Sequence, residues 1–109
     1  MAFRVDIETM VLAVLERDEL HGYEISRRIR ERSSKVLSVG EGMLYPALHK
    51  LEQENLVASQ WIPQEGRPAK KVYRLTPEGT KALAEKYKAW QTFAQGVGAV
   101  LRPAGAENA

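Results

Sequence analysis

Gly42-Met43-Leu44-Tyr45-Pro46-Ala47-Leu48-His49-Lys50-Leu51-Glu52 is the segment whose reading decides the fold. Leu44, Ala47, Leu48 and Leu51 recur at i, i+3, i+4 and i+7, which puts them on one side of a helix. Tyr45, His49 and Lys50 point elsewhere. The pattern predicts a helix over about 42–54 with one buried face and one polar, partly basic face. Pro46 is compatible with this reading: in a first turn its missing N–H has no intrahelical partner to lose. Asn55 suits a left-handed residue just past the end.

Working upstream, Ile7, Met10, Val11, Val14 and Leu15 repeat at helical spacing behind Asp6, a candidate N-cap, and predict a first helix over roughly 6–17. Asp18-Glu19-Leu20-His21-Gly22 breaks it. A second helix over about 22–33 has Tyr23, Ile25 and Ile29 as apolar contacts and is crowded with Arg27, Arg28, Arg30 and Arg32. Arg28 and Arg32 share one face, Arg27 and Arg30 another. Glu24 and Glu31 are available as partners.

Downstream, Leu56–Ile62 and Lys70–Leu75 carry β-favouring Val57, Trp61, Val72 and Tyr73, and predict two strands joined by an exposed tip from Pro63 to Pro68. Thr76-Pro77-Glu78-Gly79 opens the last helix, with Thr76 at the N-cap and Pro77 at the first helical position. Leu83, Tyr87, Trp90, Ala94, Val97 and Leu101 then alternate steps of four and three, a short heptad seam. Three helices, a hairpin and a long helix make a mainly α chain with a small β-hairpin. This is a winged helix-turn-helix over 1–75, a C-terminal dimerisation helix over 76–102 and a frayed tail over 103–109.

The 109 residues amount to one domain, and a chain this short gains from a partner subunit. Its net charge is only +2. The distribution is more telling: residues 62–75 hold Arg67, Lys70, Lys71 and Arg74 against the single acid Glu65, a local excess of +3. A buried-backed helix followed by a basic hairpin suits the grooves and phosphates of duplex DNA. Without cysteine, disulfides and thiolate metal sites are excluded. His21 and His49 alone do not make a metal site. No apolar run approaches the ~20 residues of a membrane span, and charge interrupts the N-terminus too early for a signal peptide. A cytoplasmic protein is expected, with no membrane partner and no cofactor. There is no nucleophile, base and oxyanion set, and no phosphate-cradling glycine loop with its lysine, so an enzyme is not expected.

Leu20-His21-Gly22-Tyr23-Glu24-Ile25, the segment from Gly42 to Glu52, and Val72-Tyr73-Arg74-Leu75-Thr76-Pro77-Glu78-Gly79 together resemble PadR-like transcriptional regulators over about residues 5–101. The resemblance implies a dimer, usually a repressor, that binds a palindromic operator. Its third helix would enter the major groove, and its wing would lie on the backbone or in the minor groove. It also implies dimerisation through the C-terminal helix, helped by the first. The sequence departs from the family's pattern at Met43, where a small hydroxyl residue is common, at Asn55, where glycine is common, and at Pro68-Ala69, where another basic residue is frequent.

On this reading the DNA contacts are Tyr23, Arg28, Met43, Tyr45, Pro46, His49, Lys50, Arg67, Lys70 and Lys71. Tyr45 either bonds a phosphate or packs beneath the wing, and Lys50 either meets DNA or is an ordinary surface lysine. Loss of Arg67 or Lys71 should weaken binding to any duplex and lower the salt slope by about one unit. Dimerisation falls to Ile7, Met10, Val11, Val14, Leu83, Tyr87, Trp90, Ala94, Val97 and Leu101. Trp90 is either plain interface packing or, as in some short members of the family, one wall of a site for a planar aromatic effector. Two competing functions are a winged-helix protein-interaction module and a ligand-sequestering protein without DNA binding.

Overall fold

In a computed structural model the protein is described over residues 6–105. Seven elements follow in order: α1 (Ile7–Val14), β1 (Leu20–His21), α2 (Gly22–Arg32), α3 (Glu41–Gln53), β2 (Val57–Gln64), β3 (Arg67–Leu75) and α4 (Pro77–Leu101). The three strands form one antiparallel sheet in the order β1-β3-β2. Leu12, Ile25, Leu44, Leu48, Leu51 and Val57, from four of these elements, are fully buried and make the centre of the core.

The helix ends are set by the residues the sequence singles out. Asp6 caps α1, accepting from the Thr9 amide at 3.2 Å and the Thr9 hydroxyl at 2.6 Å. Asn55 adopts φ 62°, and the amides of Asn55 and Leu56 return to the carbonyls of Glu52 and Leu51. These two bonds close α3 as a Schellman motif. The Thr76 hydroxyl accepts from the Gly79 amide at 2.9 Å and lies 2.7 Å from the Asn55 carbonyl, so the start of α4 is pinned to the end of α3. Thr76→Val removes the cap and strands the buried Gly79 amide. It should cost about 2 kcal/mol, read as a fall in Tm of roughly 4–8 °C per kcal/mol.

Several expectations need correction. Helix α1 stops at Val14, short of residue 17, and the chain turns over residues 15–17. The turn is needed because Leu20 and His21 must reach β3 as extended chain, paired with Tyr73 and Val72. The sheet therefore has three strands where a two-stranded hairpin was expected. Pro63 and Pro68 lie within β2 and β3, and the tip shrinks to Glu65-Gly66. Both prolines are tolerated because β2 is an edge strand, a register shift falls between Ile62 and Gln64, and β1 does not extend alongside Pro68. Pro46 is the sixth residue of α3, past its first turn. It therefore removes the hydrogen bond that the Gly42 carbonyl would accept. The tail over 103–109 falls partly outside the described residues, as does the start of the 1–75 unit.

Helix α4 buries Gly79 and Leu83 in its first turns and nothing beyond them. It stretches the chain to 62 × 27 × 25 Å, with a radius of gyration of 16.8 Å, where a compact domain of this length has about 13 Å. Among the described residues no helix is long and apolar enough to cross a membrane.

Candidate nucleic-acid interface

Helix α3 is fixed by its apolar side. Leu44, Leu48 and Leu51 are at most 1 % exposed. At 100° per residue, the opposite side carries Gly42, Pro46, His49 and Gln53, all exposed. Tyr45 and Glu52 stand on one flank, Met43 and Lys50 on the other. The Tyr45 ring leans back to α2: a Cβ built on Gly22 would lie 2.5 Å from its hydroxyl. A bare glycine at the head of α2 is what admits that ring. Tyr45 thus packs at the α2 entrance and still keeps an exposed edge.

The cations are less available than the sequence implied. Lys50 meets Glu8 of α1 at 2.9 Å. The hydrogen bond to that carboxylate, then its charge, raises the Lys50 ammonium pKa above the ordinary lysine value. Arg28 meets Asp18 at 2.9 Å and lines a cleft with Glu16, Arg17 and Arg32, so it is not part of the α3 surface. Exposed pairs of this kind are worth about 0–1 kcal/mol, so a phosphate can draw off either cation at little cost. Lys70 approaches His21 at 3.2 Å, and His21 lies 3.2 Å from Glu24. Tyr23 is exposed at the start of α2, its ring stacked on His21 with centroids 6.3 Å apart. Arg67, at the head of β3, is exposed and makes no ion pair among the described residues.

Lys71 is the most restrained of the set. Its Nζ lies 3.4 Å from Glu52 Oε1, 5.9 Å from the Trp61 ring centroid and 5.5 Å from that of Tyr73. The other Glu52 oxygen accepts from the Ser59 hydroxyl. That hydroxyl, then the Lys71 charge, holds the Glu52 carboxyl below its usual range against the opposing effect of burial. Burial pushes the Tyr73 hydroxyl pKa up.

Trp61 was not among the expected site residues. It is 63 % exposed on β2, opposite Lys71 in register. Strand alternation was the available signal: Ser59 and Trp61 share a face with Lys71 and Tyr73. The other omissions were Gln53 and Gly42 of the outer strip. They follow from the helical period once its buried side is fixed.

The residues expected to hold a second subunit divide in two. Val11, Val14 and Leu83 are buried in the chain's own core. Ile7 and Met10 are half-buried against that core. Tyr87, Trp90, Ala94, Val97 and Leu101 run along α4 on one side, and all but the half-buried Val97 are exposed. Phe93 and Val100 widen this apolar stripe, and the Trp90 and Phe93 rings lie 5.7 Å apart at 32°. Among the described residues no group of three or more histidine, aspartate or glutamate side chains is placed to hold a metal ion.

Comparison with known proteins gives this arrangement a context. The family described as "Transcriptional regulator PadR-like family" matches residues 11–85. A transcriptional regulator of Mycobacterium tuberculosis is 33% identical over 86% of this chain and 84% of its own length. The negative transcriptional regulator PadR of Bacillus subtilis is 32% identical over 67% of this chain and 40% of its own. Its structure in complex with operator DNA superposes with a TM-score of 0.69 at 28% identity, covering 75% of this chain and 46% of that one. The structure of a transcriptional regulator from Clostridium thermocellum gives a TM-score of 0.79 at 28% identity, over 87% and 92% of the two chains.

Proposed function

The chain belongs to the PadR-like family of transcriptional regulators, and from that premise we propose that it works in the cytoplasm as a homodimeric repressor of a palindromic operator. The observation that carries the reading is the orientation of α3. Its leucine side is consumed by the core, so Pro46, His49 and Gln53 are offered outward beside a hairpin headed by Arg67. Phosphate contacts from the hairpin set register, and the α3 strip reads base edges in the major groove. The stripe on α4 joins two copies and fixes the separation of their α3 helices. The Bacillus subtilis relative is named a negative regulator and is seen on operator DNA, which supports the repressor assignment.

Selection of bound duplexes from a random pool tests this. Enrichment of palindromes with half-site centres about 34 Å apart is expected; absence of enrichment, or enrichment of a lone half-site, overturns it. Arg67→Ala should lower the salt slope of binding by about one unit on specific and scrambled duplexes alike. An unchanged slope, measured by fluorescence anisotropy, would remove Arg67 from the interface.

The Trp90–Phe93 ring pair favours a second element of the reading. Trp90 is 50 % exposed on the stripe that faces the partner, and its flat face suits a planar aromatic effector held between subunits. Such a ligand releases DNA only to the extent that it prefers the non-binding spacing of the dimer. Saturable quenching of tryptophan emission by a planar dye, lost in Trp90→Ala, is the expected result.

A further inference from the structure

We propose that Lys71 is a positioning residue that braces the β2–β3 hairpin against the flank of α3, and is not a phosphate ligand. The inference rests on the DNA-binding reading above and changes one part of it.

The geometry comes from three elements. Glu52 stands on the flank of α3 next to the outer strip. Ser59 of β2 donates to one of its oxygens, and Lys71 of β3 pairs with the other at 3.4 Å. Ser59 pairs in register with Tyr73, and Trp61 with Lys71, so all four share one face of the hairpin. Tyr73 is buried, which identifies that face as the one packed toward the body of the protein. The Lys71 ammonium lies within cation–π range of two rings and of a carboxylate at once. Arg67, by contrast, has no such restraint, and among the described residues Lys50 and Arg28 are each held by a single acid, with no ring contact and no second element bonded to that acid.

Two physical consequences separate Lys71 from a phosphate ligand. First, drawing it to DNA would leave the Glu52 carboxylate bare at the edge of the reading surface, where it repels the phosphates. The gain from one new ion pair is then cancelled locally. Second, the pair is neutral as a unit, so it displaces no counterion from DNA and adds nothing to the salt slope. What it supplies is an angle. The base of the hairpin is held by the turn at Glu54-Asn55, by β1 and by buried Val57 and Tyr73, and the charged joint fixes the part beyond that base, toward the tip. Register between phosphate contacts and base contacts depends on that angle.

The test uses the full chain with Lys71→Met, Glu52→Gln, the double variant and Lys71→Arg, on the duplex recovered by selection and on a scrambled duplex of equal length. The ratio of the two affinities should fall about tenfold in each single neutral variant. It should fall no further in the double, and Lys71→Arg should restore it, because arginine keeps both the ion pair and the ring contact. The salt slope of the double should equal that of the wild type. A slope lower by about one with an unchanged affinity ratio makes Lys71 a phosphate ligand and overturns the proposal. A third measurement needs no DNA. In a Trp90→Phe background Trp61 is the only tryptophan, and its emission should shift in Glu52→Gln as it does in Lys71→Met. Should the wild type ignore every duplex, the function reading fails while this emission still reports the joint; an emission unmoved by Glu52→Gln shows that the joint is absent.

Discussion

Gly79→Ala should destabilise the protein by about 3 kcal/mol or more, enough to remove much of the stability of a domain this size. The usual expectation for a helical glycine is the reverse: alanine is better by roughly 1 kcal/mol in an exposed helix interior. Gly79 is buried in the first turn of α4, and a Cβ there would run into the carbonyl of Leu56 and meet the Leu75 side chain at 2.8 Å. The obstruction is backbone and cannot rotate away. It belongs to the turn that the Thr76 hydroxyl and amide already grip through the same Leu56 carbonyl. Relief would require lifting α4 off the α3–β2 turn and opening the N-cap. Gly96 is the internal control: it borders the apolar stripe beside Phe93 and Val100, and a Cβ there meets nothing within 4 Å. Gly96→Ala should raise Tm slightly while Gly79→Ala lowers it by 10 °C or more, roughly, at 4–8 °C per kcal/mol. Equal responses in thermal melts would mean that the close approach at Gly79 is not what holds α4 in place.

That contrast also shows what sequence reading reaches. Thr76-Pro77-Glu78-Gly79 announces a helix start by local chemistry, and the structure has one there. The reason for glycine at 79 is a contact with Leu56, more than twenty positions away, which no local pattern contains. The same division recurs elsewhere. The period of Leu44, Leu48 and Leu51 gave α3 and, with it, the outward strip, because one buried face fixes the opposite one. Strand β1 was invisible because two residues carry no alternation, and only β3 makes them a strand. The strands run further than an exposed tip from Pro63 to Pro68 allows, because whether a proline can sit in a strand depends on which edge its partner leaves unpaired. Charge was the hardest to read. Arg67, Lys70 and Lys71 look alike along the chain, yet one is unrestrained, one faces a histidine and one is held by an acid from α3. Likewise Val11 and Tyr87 are both apolar at helical spacing. The period says that each faces something; it does not say whether that is the same chain or another.

Tyr87 and Trp90 therefore carry the second large prediction. Tyr87→Asp combined with Trp90→Asp should convert a dimer to a monomer and lower affinity for the selected palindrome by about 10²–10⁴-fold. Both side chains are exposed in the single chain, beyond the last buried residue of α4, so the winged-helix core does not depend on them. Helical content should be retained. Two aspartates on the two large aromatic positions at the N-terminal end of the stripe would have to be buried without partners on association, which costs far more than the packing returns. The effect on DNA then follows from linkage of two half-sites. In a dimer, binding of the first α3 holds the second at a high effective concentration over its own half-site; a monomer must find each site anew. Binding to a single half-site should change little, because α3 and the hairpin are untouched. The melting temperature of the wild type should rise with protein concentration, as it does when association stabilises the folded state, and that of the double variant should not. Sedimentation and a titration on full and half palindromes decide the matter together. A variant that remains dimeric places the interface elsewhere, and one that is monomeric yet keeps full affinity for the palindrome would show that α4 does not set the spacing of the two reading helices.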